Sequence, residues 1–324
     1  MNKVVVITGA MGFIGSHTAK VFKDAGYRVI GIDHTETIPQ AKRYIDEYIK
    51  SDFVAVAAPV INLNNARAVI HCGGTSLVGP SMTNPGKYYD NNVAKTNRML
   101  DDLQMFDWQG TVVFSSSAAT YGIPKQVPIK ETDAQLPINP YGHTKLMCEH
   151  IIADHCLAHG MKGVALRYFN ACGCDPHGTL GHVVNDTHMI PMVLSSHQAG
   201  KTFVLNGDIF PTPDGTCIRD YLHVMDIAHA HLEAVNLSDS MAAGAFRAYN
   251  LGTGHGYSNK EIVDACSKVV GSDIDYRIGP IRPGDPDRLV ADSTLFQQET
   301  SWKPVFSDIN TIVMTAWNWQ KTLS

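Results

Sequence analysis

The stretch "KVVVITGAMGFIGSH", residues 3–17, opens on an apolar run that is continuous rather than alternating. A strand buried on both faces requires that pattern, and such strands belong to parallel sheets. Glycines follow at Gly9, Gly12 and Gly15, around Phe13 and Ile14. Their missing side chains allow a tight turn and let a pyrophosphate approach the N-terminus of the next helix. This spacing alone is common. Here it opens a strand–turn–helix unit, and Asp33 closes the next apolar run, "YRVIGID", where a carboxylate can accept hydrogen bonds from an adenosine ribose. Together they predict dinucleotide binding. The charge of Asp33 would repel a 2′-phosphate, and the neighbouring His34 and Thr35 offer no arginine, so NAD is the expected cofactor.

Outward from this unit, "RAVIHCG", "TVVFSSS" and "KGVALRYFN" repeat the buried-strand pattern, with helical composition over 15–25, 90–106 and 141–159. The succession predicts an α/β fold with a Rossmann-type, doubly wound parallel sheet. Asp52 and Phe53 fall at the end of a third strand, where Asp52 can hold an adenine amino group or simply form a turn. Gly73 and Gly74, in "HCGGTSLVG", let a dinucleotide lie against the backbone. Asn92, in "YYDNNV", reads equally as a polar group near the nicotinamide half and as a structural amide.

After about residue 170 the chain becomes rich in glycine and proline, as in "NGDIFPTPDGT" and "GPIRPGDPD". We expect a cofactor domain over 1–170, rejoined by about 217–247, and a smaller, partly discontinuous α/β substrate domain over the rest of 171–324.

The net charge of -5 comes with no basic run, which argues against nucleic acid or an anionic membrane surface as partner. The N-terminus reads as neither a signal peptide nor a membrane span. Seven cysteines without a repeated CxxC spacing fit a reducing, cytoplasmic setting better than a disulfide framework. Cys172 and Cys174 with His177 and His182 match no usual zinc spacing, so no metal is expected.

Chemistry enters at "FSSSAATYG", residues 114–122, on the strand end where doubly wound sheets bind ligands. Ser117 can point its hydroxyl at a substrate oxygen, or cap the following turn. In "YGHTK", residues 141–145, Lys145 lies one helical turn after Tyr141. An ammonium group and an oxidised nicotinamide beside a phenol both favour the phenolate, the form that acts as a general base.

The motifs "TGAMGFIGSH", "FSSSAATYG", "NPYGHTK", "RYFNACG" and "RDYLHVMDIAHAH" together resemble the extended short-chain dehydrogenase/reductase family across nearly the whole chain. "YFNACG", "FPTPDGTCIRDYLHVMD" and "RPGDPD" are similar to its nucleotide-sugar epimerase branch. The resemblance implies tightly held NAD and interconversion of UDP-glucose and UDP-galactose through a 4-keto sugar. Another UDP-sugar, N-acetylated, pentose or uronate, is the alternative, ahead of a dehydratase or reductase.

By the same resemblance, Tyr141 is the base, Lys145 holds the cofactor and Ser117 bonds the sugar 4-oxygen. Ser115 and Phe169 fall on the cofactor. Asn170, Arg219, Arg282, Asp285 and Leu289 fall on the UDP-sugar, and a homodimer is implied. His188, in "THMIPM", reads equally as a contact to the nucleotide at a helix start and as a cap on that helix. Related dehydratases carry acidic residues after the strand-five serine; here the interval is Ala118, Ala119 and Thr120. The chain departs from the family in three places. The stretch from Asp33 to Asp52 is short, Ser76 replaces a cofactor-contacting lysine, and Leu289 is intermediate in size where relatives carry tyrosine or a small residue.

Overall fold

Seven parallel strands form the central sheet: β1 (Val4–Thr8), β2 (Arg28–Asp33), β3 (Glu47–Lys50), β4 (Ala68–His71), β5 (Thr111–Ser117), β6 (Lys162–Tyr168) and a last edge strand, Phe246–Leu251. The computed structural model describes residues 3–182, 188–281 and 285–323. From one edge the order is β3, β2, β1, β4, β5, β6 and Phe246–Leu251. The winding therefore reverses between β1 and β4, the place where an open parallel sheet leaves a crevice at its carboxyl edge.

The apolar runs form strands because both faces are covered. Val5 and Ile7 pack on one side with Ala19 and Phe22 from the helix Phe13–Asp24 and with Ile227, Ala230 and Ala234 from the helix Val224–Leu237. Val4 and Val6 pack on the other with Ile61, Met99, Leu103, Cys148 and Ile152, from helices Phe53–Leu63, Lys95–Gln104 and Pro140–His159. The edges are less apolar. β3 is the sequence Glu-Tyr-Ile-Lys, exposed at both ends, and only a one-turn helix, Pro39–Lys42, stands between it and β2. That is the short segment anticipated after Asp33.

Beyond β6, Asn170–Cys172 pairs in parallel with Tyr221–His223. Ile218–Arg219 lies between Tyr257–Ser258 and Arg288–Leu289 in a small sheet. Phe203–Asn206 pairs with Tyr276–Gly279. A separate core joins these to the helices Met189–Gln198, Asn259–Val270 and Ile309–Gln320 through Val193, Leu194, Leu205, Ile262, Cys266, Ile312 and Val313. Between the small sheet and the large one, the chain returns by the helix Val224–Leu237 and the strand Phe246–Leu251.

Asp220 fastens this junction. Its buried carboxylate accepts from the backbone N–H groups of Thr253, Gly254 and Ala291. Burial pushes its carboxyl above the usual range, against these hydrogen bonds.

Candidate active site

The glycine turn is dictated by contact rather than by flexibility alone. Gly9 has φ +69°, and a Cβ there would stand 2.9 Å from Cys72 C and Gly73 N; on Gly15 it would stand 2.2 Å from Gly9 O. The turn after β1 is therefore packed against the turn after β4. Gly12 caps the helix Phe13–Asp24 without a side chain, so its first-turn N–H groups are left for an anion. Asp33 is buried at the end of β2 and accepts from Met11 N at 3.0 Å and Thr35 N at 3.1 Å. The bond from Met11 ties this strand-end carboxylate to the glycine turn. The glycine cradle, uncapped helix and strand-end carboxylate fit a dinucleotide.

His71 locks the floor of this cradle. Its Nδ1 lies 2.7 Å from Thr8 Oγ1 and its Nε2 2.9 Å from Thr96 Oγ1, while Gly73 N donates to Thr8 Oγ1 at 3.1 Å. Burial, followed by the Lys145 charge, lowers His71 to about 3, so the imidazole is neutral at pH 7. Phe53 packs its ring edge-on to His71 at 4.9 Å, beneath Gly73. Asp52 caps the helix Phe53–Leu63 through Val54 N and pairs with Lys95 at 2.5 Å.

Asn92 is only 3 % exposed, and protein partners satisfy its side chain. It accepts from Thr75 N at 2.6 Å and donates to Thr75 O and Thr144 Oγ1, both at 3.0 Å. It therefore pins the loop after β4 to the helix Pro140–His159.

That helix carries Tyr141 and Lys145. Asn139 caps it by accepting from Gly142 N at 2.8 Å, with Pro140 at its first position. Lys145, 7 % exposed, donates to Ser115 O at 2.7 Å, and its ammonium stands 5.8 Å from the Tyr141 ring centroid. The lysine is thus held between β5 and the phenol. Gly142 explains its place in the motif. A Cβ there would fall 2.4 Å from Ala119 O, so only glycine lets the start of this helix meet the turn just after Ser117. The sequence reading passed over that contact. Ser117 caps the turn by accepting from Ala119 N at 3.2 Å, and its O–H remains a donor. Ser115 is buried and donates to Cys72 Sγ at 3.1 Å. Burial pushes the Cys72 thiol up to about 11, so it stays protonated at neutral pH.

A network missed from sequence holds these strand ends. Arg167, on β6, reaches Glu149 Oε2 at 2.6 Å and Tyr121 Oη at 2.8 Å; Ser116 Oγ also donates to Glu149. Tyr121 donates in turn to Asn250 Oδ1 at 2.7 Å. Only fold-wide pairing brings these residues together, so no local pattern announces them.

The rest of the crevice comes from the smaller cores. Asn170, His188, Arg219 and Asp285 line one cavity. Arg219, 7 % exposed, donates to Ile218 O at 2.8 Å and Pro286 O at 2.7 Å and lies 3.6 Å from Asp285 Oδ1. His188 occupies the N-cap position of the helix Met189–Gln198, but its side chain makes no cap bond. Its ring faces that of Phe13 at 6.5 Å, which brings the cavity next to the glycine turn. Burial, then the His182 charge, lowers His188 to about 4. Phe169 packs with Ala118, Tyr121, Ile129 and Ala291, and Leu289 lies against this cluster. Arg282 lies outside the described residues.

Residues 5–252 match the model of the NAD dependent epimerase/dehydratase family. The chain belongs to this family. Within the NAD dependent epimerase/dehydratase family it is 42% identical to a UDP-glucose 4-epimerase of Lactobacillus helveticus over 328 residues, covering 99% of this chain and 97% of the relative. The solved UDP-glucose 4-epimerase of Brucella ovis in complex with NAD superposes with a TM-score of 0.91 at 41% identity, over 97% of both chains. That of Bifidobacterium longum, in complex with NAD+ and UDP, gives 0.91 at 35% identity over 98% of both.

Proposed function

We propose that the chain is an NAD-dependent UDP-sugar 4-epimerase that interconverts UDP-glucose and UDP-galactose. One arrangement carries the reading. Lys145, pinned to Ser115 O, stands beside Tyr141 at the edge of the glycine cradle, and the interval Ala118–Thr120 offers no carboxylate for elimination. The similarity to UDP-glucose 4-epimerases over nearly the full chain supports the same substrate pair.

When bound, NAD supplies a reversible hydride acceptor for C4 of the sugar. Tyr141 takes the 4-hydroxyl proton as that carbon is oxidised, and Ser117 donates to the same oxygen. Lys145 holds positive charge beside the phenolate and the cofactor ribose. Arg219, with Arg282 from the sequence reading, grips the diphosphate, and His188 and Asp285 flank the nucleotide. The anchored 4-keto sugar would then turn over in the pocket, and the Tyr141 proton would return to its 4-oxygen as C4 regains a hydride on the opposite face. Gly73, Gly74, Asp33 and the first turn at Phe13 and Ile14 would hold the cofactor, with Asp52 and Phe53 toward its adenine half. Asn170 would contact the sugar and Phe169 the nicotinamide. Leu289, against the Phe169 cluster, bounds the sugar 2-substituent.

Among the described residues no helix is long and apolar enough to cross a membrane. The cytoplasm suits the cysteines, none of which forms a disulfide among the described residues. A homodimer through the helices Lys95–Gln104 and Pro140–His159 would cover Met105, Phe106, Met147 and Leu157, all exposed. Light scattering on the purified protein checks this, and a monomer at micromolar concentration would contradict it. The functional test is incubation with UDP-galactose and no added NAD. UDP-glucose should form; its absence with NAD confirmed on the protein would overturn the proposal.

A further inference from the structure

Leu77 has φ +99°, a backbone region that non-glycine residues rarely adopt. It lies in the loop after β4 that carries Gly73 and Gly74, so something must hold it there. Tyr88 supplies the restraint. Its ring is 2 % exposed, and its hydroxyl donates to Leu77 O at 2.8 Å and, more weakly, to Ser76 O at 3.1 Å. The same ring stands edge-on to Tyr141, with centroids 6.5 Å apart and planes at 80°. Tyr88 immediately precedes a π-helix, Tyr89–Ala94, whose Asn91 and Asn92 also bond Thr75 of the loop. π-Helical turns of this kind recur at functional sites. Burial, then the neighbouring Tyr141, pushes the Tyr88 phenol up, so the donor keeps its proton while Tyr141 exchanges its own.

We propose that Tyr88 is a positioning residue: its hydroxyl restrains the Ser76–Leu77 turn and its ring sets the face of Tyr141, keeping cofactor loop and base in register. The inference rests on the reading above in assigning the loop to NAD and Tyr141 to the base. Ser76 is uncharged and offers the cofactor phosphates no cation, so the shape of the loop contributes to holding NAD, and the Tyr88 restraint supports that shape.

The test is a double-mutant cycle on the NAD-loaded protein with Tyr88→Phe, Leu77→Gly and both changes together. Bound NAD is measured after gel filtration, and kcat and KM are measured with UDP-galactose. Tyr88→Phe keeps the ring and the fold, monitored by near-ultraviolet circular dichroism. It should release NAD about tenfold faster, the factor that one lost hydrogen bond supplies. Its kcat should fall by about the same factor, with KM changed less than about twofold. Leu77→Gly removes the backbone penalty, so in the Tyr88→Phe background it should restore most of the NAD retention. Additive losses in the double variant, or wild-type NAD release from Tyr88→Phe, would overturn the proposal. If the wild type holds NAD but does not turn over UDP-galactose, the substrate reading fails, and the NAD-release cycle still decides the role of Tyr88.

Discussion

Replacing Glu149 with alanine strands the guanidinium of Arg167 inside the protein. Both side chains are buried, at 3% and 6% exposure, and they meet through Arg167 Nε at 2.9 Å and Nη2 at 2.6 Å. After the change Arg167 keeps Tyr121 Oη at 2.8 Å and Gln135 Oε1 at 3.1 Å, both neutral. A buried charge left without its counterion costs about 3–5 kcal/mol. For a chain of this size each kcal/mol lowers the melting temperature by about 2 °C, so the variant should melt about 6–10 °C below the wild type. The loss comes from the orphaned charge rather than from the net worth of the pair. Glu149→Leu combined with Arg167→Met should therefore recover more than half of it. The assay is calorimetric or circular-dichroism melting at pH 7.5 with saturating NAD. A Glu149→Ala variant within about 2 °C of wild type, or a double variant less stable than either single, would refute the reasoning.

Acid should unfold the protein early. Burial lowers His17 and His231 to about 4 and His71 and His223 to about 3. Each binds a proton in the unfolded chain first, so stability is full above pH 6.5 and falls as pH drops toward those values. At pH 5 each costs about 2 kcal/mol, partly offset by Asp220 and Asp226, whose carboxyls burial pushes up. Denaturant midpoints should fall steeply between pH 6.5 and 5; a flat profile there would contradict the neutral buried histidines. Gly142→Ala must displace Ala119 O from 2.4 Å and should cut kcat by at least about 100-fold; steady-state kinetics check it, and near-normal kcat would separate the Ser117 turn from catalysis. Leu289→Tyr should reduce turnover of UDP-N-acetylglucosamine relative to UDP-glucose by about tenfold or more, measured as a ratio of kcat/KM; an unchanged ratio would remove Leu289 from the sugar pocket.

The glycine turn, Asp33 and the first strands were legible because each is a local requirement: a continuous apolar run, a missing Cβ, a carboxylate at a strand end. The lysine of the YxxxK spacing was legible for the same reason, since helical geometry alone places it beside Tyr141. The edge strands were harder. β3 is exposed at both ends, and Phe246–Leu251 is only half-buried over its first residues, so neither shows the continuous apolar signal of a central strand. Gly142 was quoted without its reason, because the close approach of Ala119 O is a tertiary contact. Asn92 could not be decided from spacing, since its partners Thr75 and Thr144 lie 17 and 52 residues away in the chain. The restraint of Leu77 by Tyr88 depends on a backbone angle that leucine itself disfavours, so sequence propensity points away from it.

The central claim is that C4 gives up a hydride and takes the same one back on its opposite face. UDP-galactose carrying deuterium at C4, incubated in ordinary water with the protein and no added NAD, tests this directly by nuclear magnetic resonance. The account predicts UDP-glucose with the deuterium kept at C4, and a Tyr141→Phe variant slower by about 1,000-fold or more. Product that has exchanged its deuterium for solvent hydrogen, or has lost water, would contradict it.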